Sequence, residues 1–121
     1  MAQFVIRKTK SGVVFNLKAS NKEVIATSQV YKSNDTCRKG IKSVIRNAKS
    51  KVEDQTAKEI KKSPAPKYEV YKDKKGEFRF RLKSGNNQIV AVSEGYKSMA
   101  SCKNGIASVA KNAAKAEIVR E

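Results

Sequence analysis

Apolar residues occupy alternate positions at the start of the chain: Phe4 and Ile6, then Val13, Phe15 and Leu17 beyond Thr9-Lys10-Ser11-Gly12. A period of two turns one side of a strand to a core and the other to solvent. The stretch therefore predicts a hairpin that turns at Thr9–Gly12, and a third strand is predicted over Glu23 to Thr27 after the turn residue Asn21. The period then changes. Cys37, Ile41, Val44 and Ala48 are spaced by four, three and four, as on one face of a helix. Ser33 stands where an N-cap hydroxyl would accept from the first free amides.

The same pattern then runs a second time. Tyr68 and Val70, then Phe78, Phe80 and Leu82, alternate around a turn at Asp73-Lys74-Lys75-Gly76. A strand is predicted over Gln88 to Val92 after Gly85-Asn86-Asn87, and Ser98 precedes a helical stripe of Cys102, Ile106, Val109 and Ala113. A shift of 65 residues superposes Phe15-Asn16-Leu17-Lys18 on Phe80-Arg81-Leu82-Lys83 and Tyr31-Lys32-Ser33 on Tyr96-Lys97-Ser98. Upstream of the first turn the shift is 64, as a one-residue insertion in a hairpin loop would produce. Gly40 and Gly105 recur inside the two helices, where glycine costs about 1 kcal/mol relative to alanine, which predicts close packing against the sheet. Tyr31 and Tyr96, at the approach to each helix, are predicted to be packing anchors. Lys51-Val52-Glu53 and Glu117-Ile118-Val119 can each add a short fourth strand.

These residues carry a resemblance. A lysine-rich glycine turn, F-x-L-K, Ala26-Thr27-Ser28 and Ala91-Val92-Ser93, Y-K-S, and a helix with C-x-x-G-I-x-S-V and N-A are similar to the bacterial YegP-like family over nearly the whole chain, in both copies. The resemblance implies an α+β fold of tandem β-β-β-α-β repeats. Their strands would form one joined antiparallel sheet with two helices on one face, and the C-terminal strands would exchange about a pseudo-twofold axis. It implies no established activity. The copies span residues 1–54 and 68–121, with a basic, proline-containing linker at 55–67, and are expected to pack as one compact, monomeric unit. Each half alone falls in the range of roughly 55–65 residues, where a single core is marginal, so each should need the other.

Charge narrows the function. Among 121 residues, 27 lysines and arginines face 11 acids, a net charge of +16. Such an excess points to a polyanionic partner. There is no histidine and no tryptophan. With no glycine-rich phosphate loop, and with carboxylates such as Glu23, Asp35, Glu69 and Glu94 in no recognisable pairing, the chain is expected not to be an enzyme. Cys37 and Cys102 lie on apolar helical stripes, outside any CxxC, and are predicted to be buried small hydrophobes rather than metal ligands, nucleophiles or a disulfide. No cofactor or metal is expected. The opening Met1–Lys8 has no secretory h-region and no apolar run approaches a membrane span, so a soluble, cytoplasmic protein without a membrane partner is expected.

Three groups of cations are candidates for phosphate contact. Arg38, Lys39, Lys42 and Arg46 lie opposite the apolar stripe of the first helix; the second helix has Asn104 and Ala107 in place of Lys39 and Lys42. Arg79, Arg81 and Lys83 project from the sheet face opposite Phe78, Phe80 and Leu82, beside Tyr71, which could stack an unpaired base. Lys58, Lys61 and Lys62, with Lys67, form a flexible basic arm around Pro64 and Pro66. The predominance of lysine suits point contacts with phosphates better than bidentate base readout. The expected function is non-enzymatic binding of RNA or ribosomal particles, with DNA less favoured. The alternative is a protein-interaction module with incidental charge, docking a partner on an apolar patch of Val5, Val14 and Tyr71 or on an edge strand.

Overall fold

In the computed structural model, which describes residues 2–120, the alternating stretches pair as two matching hairpins. Met1 and Glu121, the outer ends of the two repeats, lie outside the described residues. The first hairpin is β1 (Gln3–Thr9) with β2 (Gly12–Lys18), in a register that sets Phe4 opposite Leu17 and Ile6 opposite Phe15. The second is β5 (Lys67–Lys72) with β6 (Phe78–Lys83), and it sets Tyr68 opposite Leu82 and Val70 opposite Phe80. Third strands, β3 (Val24–Thr27) and β7 (Ile89–Val92), join β2 and β6 with a register shift at the same place, Leu17/Lys18 and Leu82/Lys83.

The repeated A-x-S motif has a local task where the third strands leave the ladder. Ser28 Oγ accepts from the Phe15 amide and Ser93 Oγ from the Phe80 amide, both at 2.9 Å. Each hydroxyl also donates to the next carbonyl, of Gln29 or Glu94. The serines thus satisfy backbone amides that would otherwise be buried without a partner.

The sheet has eight strands in the order β4-β5-β6-β7-β3-β2-β1-β8, where β4 is Lys51–Asp54 and β8 is Glu117–Arg120. The order reads the same from either end once the repeats are exchanged, so a pseudo-twofold axis passes between β3 and β7. The last strand of each repeat is delivered to the other: β4 pairs with β5, and β8 with β1. The six middle strands are antiparallel, as the resemblance implied, and the two exchanged strands add to the edges in parallel.

Two helices, α1 (Asn34–Asn47) and α2 (Met99–Asn112), cover one face. The inward side chains of both hairpins and of both helices form one buried cluster. Each helix reaches over strands of the opposite repeat, α1 over β6 and β7 and α2 over β3. Tyr68, which stands where the first copy has Phe4, ties the copies together by donating to the Ala48 carbonyl at the end of α1 (2.6 Å).

Gly40 and Gly105 do face inward, but they abut the rings of Tyr31 and Tyr96 rather than the sheet backbone. A Cβ at Gly40 would overlap the Tyr31 hydroxyl; at Gly105 it would meet both Tyr96 and Phe80. Each tyrosine stacks on the central phenylalanine of its copy, Tyr31 on Phe15 and Tyr96 on Phe80. They are the packing anchors that their position suggested.

Both helices start as their sequences indicate. Ser33 Oγ accepts from the Thr36 amide, and Thr36 Oγ1 accepts in return from the Ser33 amide, completing a capping box. Ser98 Oγ accepts from Ser101 without the reciprocal bond. Ser33→Ala is therefore expected to cost about 1 kcal/mol in urea unfolding, and Ser98→Ala no more than that.

Candidate functional site

The three cation groups fare differently in the fold. On the face of the sheet away from the helices, Tyr71, Arg79, Arg81 and Lys83 come together as the hairpin register requires, but each cation is matched to a carboxylate. Arg81 Nε donates to Glu69 Oε1 (2.6 Å), and Lys83 Nζ lies 3.3 Å from the same oxygen. Arg79 Nε donates to Asp73 Oδ2 (2.8 Å) and its Nη1 to the Ser93 carbonyl. The Arg81 guanidinium sits 4.6 Å from the centre of the Tyr71 ring, which occupies the face a base would need.

Glu69 is thus the opposite of an isolated carboxylate. Burial pushes it up, but Arg81, Lys67 and Lys83 outweigh that and hold its carboxyl below the ordinary range. Lys67 is the first residue of β5 and is buried; its ammonium donates to Glu53 Oε1 (2.9 Å) and lies 3.2 Å from Glu69 Oε2. Glu53, 3% exposed, also accepts from the Gln55 side chain and from the Ser63 amide (2.7 Å). Those bonds, Gln55 first, then Lys67 and Ser63, hold its carboxyl down at about 2.

The linker is accordingly not a free arm. Because β4 and β5 are parallel, the chain between them must return along the length of the strands. It does so on the open face, where Ser63 caps Glu53 and the Gln55 amide donates to the Val70 carbonyl. Lys67 is unavailable to a phosphate, while Lys58, Lys61 and Lys62 remain exposed.

The apolar patch expected for protein docking is not exposed either. Val5 and Val14 are each 5% accessible, and Tyr71 is half-buried beneath Arg81. The edges β4 and β8 are four residues long apiece, short in the way that blunts edge pairing.

The first helix is different. Arg38, Lys39, Lys42 and Arg46 are all exposed, and among the described residues none has a carboxylate within ion-pair distance. Their partners on the helix, Cys37, Gly40, Ile41 and Val44, are buried, which fixes the rotation of α1 and holds the cations outward. The segment Ala113–Lys115, a 3-10 turn after α2, packs against α1 and brings a further lysine to that side. On α2 the equivalent positions are Lys103, Asn104, Ala107 and Lys111, so half the charge is gone.

The two thiols lie in the interior. Cys37 and Cys102 are fully buried and free. Burial pushes both thiols up, Cys102 to about 11, so at neutral pH neither is an appreciable thiolate. Among the described residues no three Cys, Asp or Glu side chains are grouped to hold a metal. Among the described residues no helix is long and apolar enough to cross a membrane. A cleft of about 580 Å³ between the Ala19–Asn21 turn and α2 is lined by Asn104, Ser108, Lys111 and Asn112, without an acid and base in partnership.

Comparison with known proteins agrees with the architecture. The family described as "Domain of unknown function (DUF1508)" matches twice, at residues 10–54 and 73–119, once on each repeat. The UPF0339 protein YegP of Yersinia pestis is 42% identical over 113 residues, covering 93% of this chain and 88% of that protein. A UPF0339 protein of Treponema denticola matches at 56% over 55 residues, which cover 46% of this chain but 95% of that protein, the extent of a single copy. The solution NMR structure of yegP from E. coli, described as a protein of unknown function, superposes with a TM-score of 0.80 at 32% identity, covering 99% of this chain and 92% of the other. The chain belongs to the DUF1508 family, the family of the UPF0339 proteins and YegP, and carries its domain in tandem.

Proposed function

We propose that this protein is a non-enzymatic, cytoplasmic, monomeric binder of RNA or of ribosomal particles, DNA being less favoured, and that it contacts phosphates through the outward face of α1. One contrast among the candidate cations carries the proposal: Arg79, Arg81 and Lys83 on the second hairpin are matched by Asp73 and Glu69, whereas Arg38, Lys39, Lys42 and Arg46 are exposed and, among the described residues, unmatched. The surplus of a +16 chain lies on its unpaired cations, and a polyanion gains most where protein charge is not already neutralised. Free, buried thiols suit a reducing compartment.

Fluorescence polarisation with labelled RNA across a salt series tests this. Four phosphate contacts predict a slope of log affinity on log salt of about −3 to −4. Replacing Arg38, Lys39, Lys42 and Arg46 with Glu is expected to weaken binding on the order of 100-fold at low salt and to flatten that slope. Replacing Lys58, Lys61 and Lys62 with Glu should have much the smaller effect. A flat salt dependence, or equal binding by wild type and the α1 variant, would rule the proposal out.

A further inference from the structure

We infer that the RNA engaged by α1 is double-stranded and is held along the phosphates of one strand; the inference rests on the RNA-binding proposal above and specifies its ligand. Proteins that hold single strands without sequence preference draw much of their affinity from bases stacked on aromatic rings, about 1–3 kcal/mol per base. This chain has four tyrosines, four phenylalanines and no tryptophan, and every ring is engaged. Phe4, Phe15, Tyr68 and Phe80 are fully buried. Tyr31 and Tyr96 are stacked on Phe15 and Phe80, with their hydroxyls at the helical glycines. The two rings nearest solvent on the sheet are covered by cations of this chain: Arg81 lies over Tyr71, and the Lys72 ammonium is 5.2 Å from the centre of Phe78. The exposed large apolar side chains, Val30, Ile45, Val52, Ile60 and Ile118, are all aliphatic. A flexible strand would therefore find charge here but nothing to stack on.

A duplex asks for what α1 does present. Arg38, Lys42 and Arg46 recur every four residues on a helix clamped to the sheet, in steps of about 6 Å. The backbone under that row is held by its buried face, and the backbone of a duplex is likewise stiff, so docking one on the other orders side chains but little backbone. A duplex also carries the denser charge, and each neutralised phosphate releases more counterion there than on a single strand. Double-stranded RNA is in general recognised through its shape, phosphates and 2′-hydroxyls rather than through base edges. Lys39, on the flank of the row, adds a contact to the same rail. The linker lysines are outside this row and take no part.

Competition distinguishes this inference from the proposal on which it rests. With a labelled RNA duplex bound at fixed salt, unlabelled duplex is expected to displace it at a concentration at least about tenfold lower than an RNA strand of equal length that cannot fold on itself. Tyr71→Leu, checked for an unchanged melting temperature, is expected to shift either affinity by less than about twofold. Should the single strand compete as well as the duplex, or should Tyr71→Leu weaken binding tenfold, the duplex assignment falls. The RNA-binding proposal survives that result provided binding still collapses in the Arg38, Lys39, Lys42, Arg46 charge-reversal variant. If neither RNA form binds in a salt-dependent way, both fall together.

Discussion

Glu69→Ala is expected to destabilise the protein by about 3 kcal/mol, although the residue is not part of the apolar core cluster. Its carboxylate is the shared partner of Lys67, Arg81 and Lys83. Removing it leaves Lys67, which is 8% exposed, with Glu53 alone, and leaves the guanidinium of Arg81 held beside two other cations. Breaking a buried ion pair costs about 3–5 kcal/mol because the surviving charge stays desolvated. The low end applies because Arg81 and Lys83 keep access to solvent along their side chains, 28% and 18%. Urea unfolding of Glu69→Ala against wild type measures the loss. A change under 1 kcal/mol would show the network to be no more than a surface array.

The same cluster sets the acid limb of stability. Glu53 is shifted down to about 2 from an ordinary value of 4.5, so it binds its proton less readily in the folded state than in the unfolded state. Its contribution is fully present above about pH 4.5 and is lost as the pH falls toward 2. Glu69 is displaced in the same direction and adds to the same limb. Melting temperature should therefore drop across this window in wild type and drop less steeply in Glu53→Gln, whose starting value is already lower.

Much of the fold was legible because it depends on local period and on duplication. Alternation at Phe4/Ile6 and Val13/Phe15/Leu17 defines both a strand and its buried side, and the spacing of Cys37, Ile41, Val44 and Ala48 defines a helix with its inward face. A recurring pattern allows each assignment to be made twice. What remained illegible was the state of the charged residues. Position shows that Arg81 leaves the sheet opposite Phe80 and Leu82, but whether it is free depends on what lies beside it. Hairpin register alone puts Glu69 across from Arg81, a signal available once Tyr68 is set against Leu82. Glu53 could not be found that way. It reaches Lys67 only because β4 crosses to the other repeat and the linker folds back over it.

The duplication has kept one face and rewritten the other. On the helix side the two copies are nearly interchangeable: phenylalanine, tyrosine, glycine and cysteine occupy equivalent places and make equivalent contacts. On the open side Val5, Val14 and Asn16 of the first copy correspond to Glu69, Arg79 and Arg81 of the second. Asn16 accepts from Arg7 Nε and donates to Thr27, a chain with a cation and no carboxylate, where Arg81 is bonded to one. On this face the second copy thus carries carboxylates along with its cations. On α1 the cations Arg38, Lys39, Lys42 and Arg46 have no ion-pair partner among the described residues, and Asp35 in the first turn is the helix's one carboxylate.

Phe15→Ala and Phe80→Ala should each remove about 3–5 kcal/mol, and both should lower a single unfolding transition. The two rings occupy equivalent places, fully buried at the centre of their copies, each edge-on to one aromatic neighbour and stacked on another. Truncation of either leaves a cavity that the surrounding sheet and helix cannot close without moving the tyrosine wedged beneath the helical glycine. For a chain of this size the loss corresponds to a fall in melting temperature of roughly 12–20 °C. Cooperativity is the sharper part of the expectation. The β3–β7 seam is thin, a single paired position at Thr27 and Val92, and by itself would couple the halves weakly. Coupling comes instead from the exchanged strands, from helices that reach over the opposite repeat, and from Tyr68 bonded to Ala48. Calorimetry should accordingly show one transition in wild type and in both variants, with the van't Hoff and calorimetric enthalpies in agreement. Two transitions, of which Phe15→Ala moves one and Phe80→Ala the other, would mean that the repeats fold independently and that strand exchange does not unite them.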